Sequence, residues 1–153
     1  MAPTLFLDFD GVLQPYDVCL VTGKAVRSGG GLFVYAPLVV EALALHPTVK
    51  IVLSTSWVSA IGFEESRNRL PVELQHRVVG ATDQATARTR HSQIAHYVRQ
   101  HGLIRWLAVD DDTEGWPAEQ RKNLVRTPRA MGLSYPDAQL ELADKLALLT
   151  TQA

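Results

Sequence analysis

The stretch Leu5-Phe6-Leu7-Asp8-Phe9-Asp10-Gly11-Val12-Leu13 decides the fold of this chain. Three consecutive apolar residues followed at once by an acid are typical of a strand that is buried on both faces and ends in polar residues. Two later runs have the same form: Val49 to Leu53 precedes Ser54-Thr55-Ser56, and Trp106 to Val109 precedes Asp110-Asp111-Asp112. The pattern therefore predicts three buried strands with polar carboxyl ends.

Helical patterns alternate with these strands. Apolar residues recur at three- and four-residue spacing over 37–46, 92–101 and 136–149, which predicts three helices with a core-facing stripe. A weaker run at 123–126 predicts a fourth, shorter strand. Strands that alternate with helices predict an α/β fold, a Rossmann-like three-layer sandwich with a central parallel sheet.

Residues 14–36 interrupt this alternation. Val18-Cys19-Leu20-Val21 and Leu32-Phe33-Val34-Tyr35 are separated by glycine-containing turns, which predicts two short strands in a small β-hairpin flap after strand 1. The intervals from Asp10 to Thr55 and from Thr55 to Arg90 are too short for a large cap domain. We therefore expect one domain over residues 1–153 with an open crevice.

The composition excludes several classes of protein. Lys and Arg number 15 against 16 Asp and Glu, so no global field favours nucleic acid or an anionic membrane as partner. A single cysteine excludes an internal disulfide. The first acid, Asp8, precedes any long apolar stretch, so we expect no signal peptide, no membrane span and a cytoplasmic location.

The predicted sheet brings the polar clusters together. The carboxyl ends of parallel strands open onto one crevice, so Asp8, Asp10, Thr55, Asp110 and Asp111 are expected near one another. Converging carboxylates repel each other unless a cation neutralises them. An oxygen-only ligand set without a histidine and cysteine cluster favours Mg²⁺ over zinc.

The spacing of Asp8 and Asp10 indicates their chemistry. Residues two apart on an extended chain face the same side, so both carboxylates can face the crevice. One can attack phosphorus while the other, protonated, donates to the leaving oxygen and then activates water. Thr55 offers a hydroxyl to the transferring phosphoryl oxygens, and it can also cap the helix that follows.

Two tryptophans adjoin these polar clusters. Trp57 directly follows the second cluster, and Trp116 lies in the loop after the third. Either ring could form the wall of a base or sugar pocket by stacking. Packing in the core, or anchoring of a loop, is the favoured interpretation of both.

These motifs resemble those of the haloacid dehalogenase superfamily in its phosphatase form. Asp8-Phe9-Asp10-Gly11-Val12-Leu13 resembles motif I, and Ile51-Val52-Leu53-Ser54-Thr55-Ser56-Trp57 resembles motif II. Arg90, before a predicted helix, resembles motif III, and Val109-Asp110-Asp111 resembles the acidic motif IV. The segment Thr127-Pro128-Arg129-Ala130-Met131-Gly132-Leu133-Ser134 is similar to the small uncapped group whose relatives include domains of RNA-repair proteins.

The resemblance implies a role for each residue of the site. Asp8 is the nucleophile, Asp10 the general acid and base, Thr55 a phosphoryl ligand and Arg90 the cation that stabilises the aspartyl-phosphate. The metal set is Asp8, Asp10 through its backbone carbonyl, Asp110, and Asp111 through a bound water or a second position. Ser54 is the alternative to Thr55, Arg88 is the alternative to Arg90, and Asp112 leaves the register of motif IV open by one residue.

The predicted function is a magnesium-dependent phosphomonoester hydrolase that works through an aspartyl-phosphate intermediate. An open crevice favours either a phosphate carried on something large, such as a nucleic-acid end or a protein, or a partial lid formed by the flap from Val18 to Tyr35. The alternatives are a non-catalytic module that binds metal and phosphate, and a phosphotransferase with another acceptor.

Overall fold

The computed structural model describes residues 1–16, 19–21, 24–26, 32–85 and 87–151. Its strands are β1 (Thr4–Leu7), β2 (Cys19–Val21), β3 (Lys24–Val26), β4 (Lys50–Leu53), β5 (Val78–Ala81), β6 (Trp106–Asp110) and β7 (Leu124–Arg126). Five of them form one sheet in the order β5-β4-β1-β6-β7, and every neighbouring pair in it is parallel. The predicted parallel α/β fold is confirmed, including the weak strand at 123–126.

Helices connect these strands. They are α1 (Ala36–Ala44), α2 (Trp57–Ile61), α3 (Phe63–Asn68), α4 (Val72–Gln75), α5 (Arg90–His101) and α6 (Pro136–Thr151), with 3₁₀ turns at Ala118–Asn123 and Gly132–Ser134. The three predicted helices correspond to α1, α5 and α6. The Ser-Tyr-Pro entry into α6 places Pro136 at its first position, where the missing N–H costs no helical bond.

The core lies on both faces of the sheet. Leu5 and Leu7 pack on one face with Val39 of α1 and Leu142 of α6. Phe6 points to the other face, in a second cluster that contains residues of α5 and β6. Because successive side chains of a strand alternate between faces, an unbroken apolar run is what a sheet covered on both sides requires.

The hairpin after β1 has a different second strand from the one predicted. β2 pairs antiparallel with β3, so the strand at 24–26 takes the place expected for 32–35. The Leu32–Tyr35 prediction was wrong, because that segment forms turns whose amides are held by the motif I loop: Tyr35 N–H donates to Leu13 O, and Phe33 N–H to the Gln14 side chain. Val18, residues 22–23 and the turn at 28–31 lie outside the described residues.

The sequence analysis missed β5 and the helices α2 to α4. β5 is a four-residue edge strand with a glycine, Gly80, in its interior, and Val79 in it is 57% exposed. A glycine inside so short a run weakens the signal of a strand. The three helices have four to six residues each, which is too short for a 3.6-residue period to become visible.

The intervals between the motifs contain small elements within the described residues. The first holds the hairpin and α1, and the second holds α2 to α4 and β5. The prediction that neither holds a large cap is confirmed for the described part of the chain. In that part, no helix combines the length and the apolar character needed to cross a bilayer.

Candidate active site

Asp8 is the first residue beyond β1, the central strand of the sheet. Its side chain is buried at 4% exposure, and Asp8 Oδ1 accepts the Phe9 N–H at 2.8 Å. Gly11 then turns the chain with φ +77°, and Val12 and Leu13 donate backbone hydrogen bonds to Phe9 O. The turn therefore stops the strand and leaves Asp8 at the carboxyl edge of the sheet.

Three acids meet at this edge. Ligand oxygens of Asp8, Asp110 and Asp111 all lie within 4.8 Å of one another. Asp110 is the last residue of β6 and is 1% exposed, whereas Asp112 turns away and accepts the Glu114 N–H. The Asp112 N–H donates to Asp110 Oδ1 at 3.0 Å. The structure thus places Asp110 and Asp111, and not Asp112, beside Asp8.

Arg90 connects two of these acids. Its Nη1 lies 2.9 Å from Asp110 Oδ2 and 3.2 Å from Asp8 Oδ1, and it donates to Ser54 O at 2.5 Å. Arg90 is the first residue of α5, whose start is fixed by a capping box between Thr89 and Ser92. A cation there opposes the helix dipole, and the two carboxylates compensate for it. Arg88 is exposed, so only Arg90 of the two predicted cations lies among the acids.

Both hydroxyl candidates of motif II lie at the end of β4. Ser54 and Thr55 are each 1% exposed. Thr55 Oγ1 accepts the Trp57 N–H at 3.2 Å, so it holds the start of α2 and still has a proton to donate. Within the described residues, Ser54 Oγ has no hydrogen-bond partner, although it is buried. Both residues therefore stay candidates for a phosphoryl oxygen.

The electrostatics of the cluster favour a cation. Burial raises the pKa of Asp8 well above its ordinary value, and the neighbouring Asp110 raises it further against the opposing effect of Arg90. Burial also raises the pKa of Asp110 to about 6. Burial alone would lower the pKa of Arg90, but Asp8 and Asp110 raise it overall. Three acids face one buried guanidinium, so a further positive charge would relieve their repulsion.

The donor set fits a hard divalent ion. Asp8, Asp110 and Asp111 offer carboxylate oxygens only, which is the ligand type that Mg²⁺ prefers. These three side chains would hold the ion, and the Asp10 carbonyl as a further ligand stays a prediction. When bound, it would neutralise the acids and polarise phosphoryl oxygens.

Gly11 is required for the acids to come this close. A Cβ at Gly11 would lie 2.5 Å from Asp111 Oδ2, and the positive φ already disfavours any side chain. Thr127 Oγ1 donates to Gly11 O at 2.5 Å, and Leu133 N–H donates to Val12 O at 2.9 Å. The segment quoted for the uncapped group therefore packs directly on the motif I turn.

Asp10 lies apart from the three-acid cluster. Its carboxylate accepts hydrogen bonds from Gln14 Nε2 and from Trp57 Nε1, each at 2.9 Å. Burial raises the pKa of Asp10, and these two bonds act in the opposite direction. The structure thus brings Asp8, Arg90, Asp110 and Asp111 together and holds the Asp10 side chain by separate contacts.

Sequence reasoning missed three residues of this site. Gln14 carried no motif signal, and the indole N–H of Trp57 was not considered, although core packing of Trp57 and Trp116 is confirmed at 1% and 8% exposure. Arg129 Nε lies 3.6 Å from Asp111 Oδ2, with a side chain that is 62% exposed. Its place directly after Thr127-Pro128 in the final quoted segment was the signal available.

A parallel sheet with acids and a bridging arginine at its carboxyl edge defines an α/β domain whose candidate site lies where such sheets bind their ligands. The family model described as "HAD domain in Swiss Army Knife RNA repair proteins" matches residues 4–138. The chain therefore belongs to this family of haloacid dehalogenase-like domains, and membership indicates a phosphatase-like hydrolase. No curated protein and no solved structure matches the chain.

Proposed function

We propose that this protein is a magnesium-dependent phosphomonoester hydrolase with Asp8 as its nucleophile. The observation that carries the proposal is the meeting of Asp8, Asp110 and Asp111, with the largely buried Arg90 guanidinium bridging the first two. An acid that is only structural gains nothing from such crowding, because burial and repulsion both disfavour its charge. The crowding is useful if the carboxylates share a cation and a phosphoryl group.

The reaction proceeds in two displacements. An Asp8 carboxylate oxygen forms a bond to phosphorus while the bond from phosphorus to the leaving oxygen breaks, and Asp10 gives that oxygen its proton. Asp10 then takes a proton from water as the water oxygen attacks phosphorus. The bond to Asp8 breaks, inorganic phosphate leaves and both acids return to their starting forms.

The remaining residues stabilise the phosphoryl oxygens. Arg90 holds the Asp8 carboxylate and faces the charge that develops beside it. Thr55, or the unpartnered Ser54 hydroxyl, donates to an equatorial oxygen. Arg129, exposed beside Asp111, suits the outer part of a substrate with a further negative charge.

A phosphorylated nucleic-acid end is the substrate class that we propose. Within the described residues, the intervals between the motifs hold only small elements and no large cap, and the family description names RNA repair proteins. The cytoplasm and a single domain over residues 1–153 stay predictions from the sequence.

The test is phosphate release with and without Mg²⁺, from an aryl phosphate and from oligonucleotides phosphorylated at either end. The matched pair is Asp8→Asn and Asp144→Asn, since Asp144 is exposed on α6. We expect the kcat of Asp8→Asn to fall at least about 10³-fold and that of Asp144→Asn to stay at the wild-type value. Equal turnover by Asp8→Asn would end the proposal. Binding without turnover over the whole panel would favour a non-catalytic phosphate-binding module, and transfer to an added alcohol in place of water would favour a phosphotransferase.

A further inference from the structure

Both carboxylate oxygens of Asp10 are held by uncharged donors. Gln14 Nε2 donates to Oδ1 and Trp57 Nε1 donates to Oδ2, each at 2.9 Å. The donors are fully enclosed, with Gln14 at 0% and Trp57 at 1% exposure. Asp8, by contrast, is held by the charged Arg90. The two acids of motif I thus have different kinds of partner.

Gln14 is itself fixed from a second direction. Its Oε1 accepts the Phe33 N–H at 2.8 Å, and its backbone carbonyl accepts the Gly11 N–H at 2.8 Å. The amide is therefore bonded at both ends, with its nitrogen directed at Asp10. A flipped amide would place its oxygen against a carboxylate and its NH₂ against an N–H, so this orientation is the one that the contacts allow.

Trp57 is fixed by aromatic packing. Its ring lies 5.6 Å from that of Phe9 and 5.2 Å from that of Phe33, and Phe9 lies 5.1 Å from Phe33. All three contacts are edge-on, the favourable geometry for such pairs. Phe33 has φ +55°, which is unusual for a residue with a side chain, and its amide is the one that holds Gln14. The same residue therefore supports both donors to Asp10.

We propose that Gln14 and Trp57 are positioning residues that fix the Asp10 carboxylate for proton transfer to the leaving group. Two donors, one to each oxygen, fix the plane of the carboxyl group and leave its remaining lone pairs for the transferable proton. Because the donors are neutral, they orient the group without pairing it to a fixed charge. Misplacement of a catalytic group by about 1 Å costs on the order of 10²-fold in rate, so orientation of this kind has a measurable effect.

The inference rests on the proposed hydrolase function, and leaving-group dependence tests it. Protonation matters for a poor leaving group such as the alkoxide of glycerol phosphate, and it matters little for dinitrophenolate. A variant that merely destabilises the fold loses rate on both substrates alike. A variant that misorients Asp10 loses kcat/KM, which reports the step that expels the leaving group, mainly on the alkyl phosphate, as Asp10→Asn does. Turnover, kcat, also includes the later attack of water, for which Asp10 is the base with either substrate.

Trp57→Phe removes the N–H and keeps an aromatic ring, and Gln14→Met keeps the chain length and removes both amide bonds. Trp116→Phe is the matched control, because the buried Trp116 Nε1 donates to no group within the described residues. We expect kcat/KM on glycerol phosphate to fall about 10- to 100-fold for the two test variants. On dinitrophenyl phosphate, and for the control on both substrates, kcat/KM should change by less than about threefold. Trp57→Phe alone carries the test if Gln14→Met does not fold.

The outcomes separate the two claims. Equal losses on both substrates, or none, in an active Mg²⁺-dependent enzyme would overturn the positioning role and leave the hydrolase intact. If the wild-type protein hydrolyses neither substrate, the proposed function fails and the positioning role fails with it.

Discussion

Removal of the Asp110 carboxylate should change how the stability of the metal-free protein depends on pH. Burial raises the pKa of Asp110 from 3.8 to about 6 in the folded protein. The folded state therefore binds this proton more tightly than the unfolded chain does. At about 1.4 kcal/mol for each pH unit, the difference corresponds to about 3 kcal/mol.

The direction in which the unfolding free energy changes with pH follows from that difference in proton binding. Below 3.8 the carboxyl is protonated in both states and imposes no penalty, whereas above about 6 the folded protein holds a buried charge. Metal-free wild-type protein should lose about 3 kcal/mol of unfolding free energy through this group as the pH rises from about 4 to about 7. Asp8, whose pKa is also raised, adds to the loss.

Urea unfolding in a chelator over this pH range measures the effect. Asp110→Asn should show a clearly smaller decline with pH, because the variant cannot acquire the buried charge and because Asp8 loses the neighbour that raises its pKa. Asp144→Asn, on the exposed face of α6, should keep the wild-type slope. Saturating Mg²⁺ should flatten the wild-type slope, since a cation that binds the charged acids stabilises that state. An Asp110→Asn protein with the wild-type slope would refute the electrostatic account of the site.

Two further variants test the geometry around the acids. Arg90→Met should lose about 3–5 kcal/mol of unfolding free energy at neutral pH without metal, because it leaves Asp8 and Asp110 without their cation, while Arg88→Met should change little. Chemical denaturation measures both, and similar values for the pair would contradict the assignment of Arg90. Gly11→Ala should cost at least about 1–2 kcal/mol from its positive φ alone and should weaken Mg²⁺ binding, because the new methyl group displaces Asp111. Calorimetric titration with Mg²⁺ checks the second effect, and an unchanged affinity would separate Gly11 from the metal site.

The sheet and its polar edge could be predicted because they depend on short-range patterns. Buried strands such as β1 and β6 require unbroken apolar runs, and the acids that follow must lie at the carboxyl edge. The second strand of the hairpin could not be predicted in the same way. In the segment 32–35, Phe33 packs on Phe9, whereas Leu32 and Val34 are exposed, and this tertiary arrangement is not visible in an apolar run.

The site was predicted residue by residue, but its supports were not. Arg90 was predicted, with Arg88 as its alternative, from the resemblance to motif III, whereas Gln14 has no distinguishing neighbour in the sequence. Its importance comes from a buried side chain that bonds both to Asp10 and to Phe33, which lies 19 residues further along the chain from Gln14. Contacts of this range carry no local signal, so only the fold reveals them.

The central claim is that Asp8 accepts the phosphoryl group. The direct measurement is mass spectrometry of the peptide that contains Asp8, after acid quench of Asp10→Asn enzyme mixed with Mg²⁺ and dinitrophenyl phosphate. The variant lacks the base for the second step, so the intermediate should accumulate. We predict a phosphoryl group on Asp8 that hydroxylamine removes, as expected for an acyl phosphate. Product release with an unmodified Asp8, or a phosphoryl group on another residue, would contradict the account.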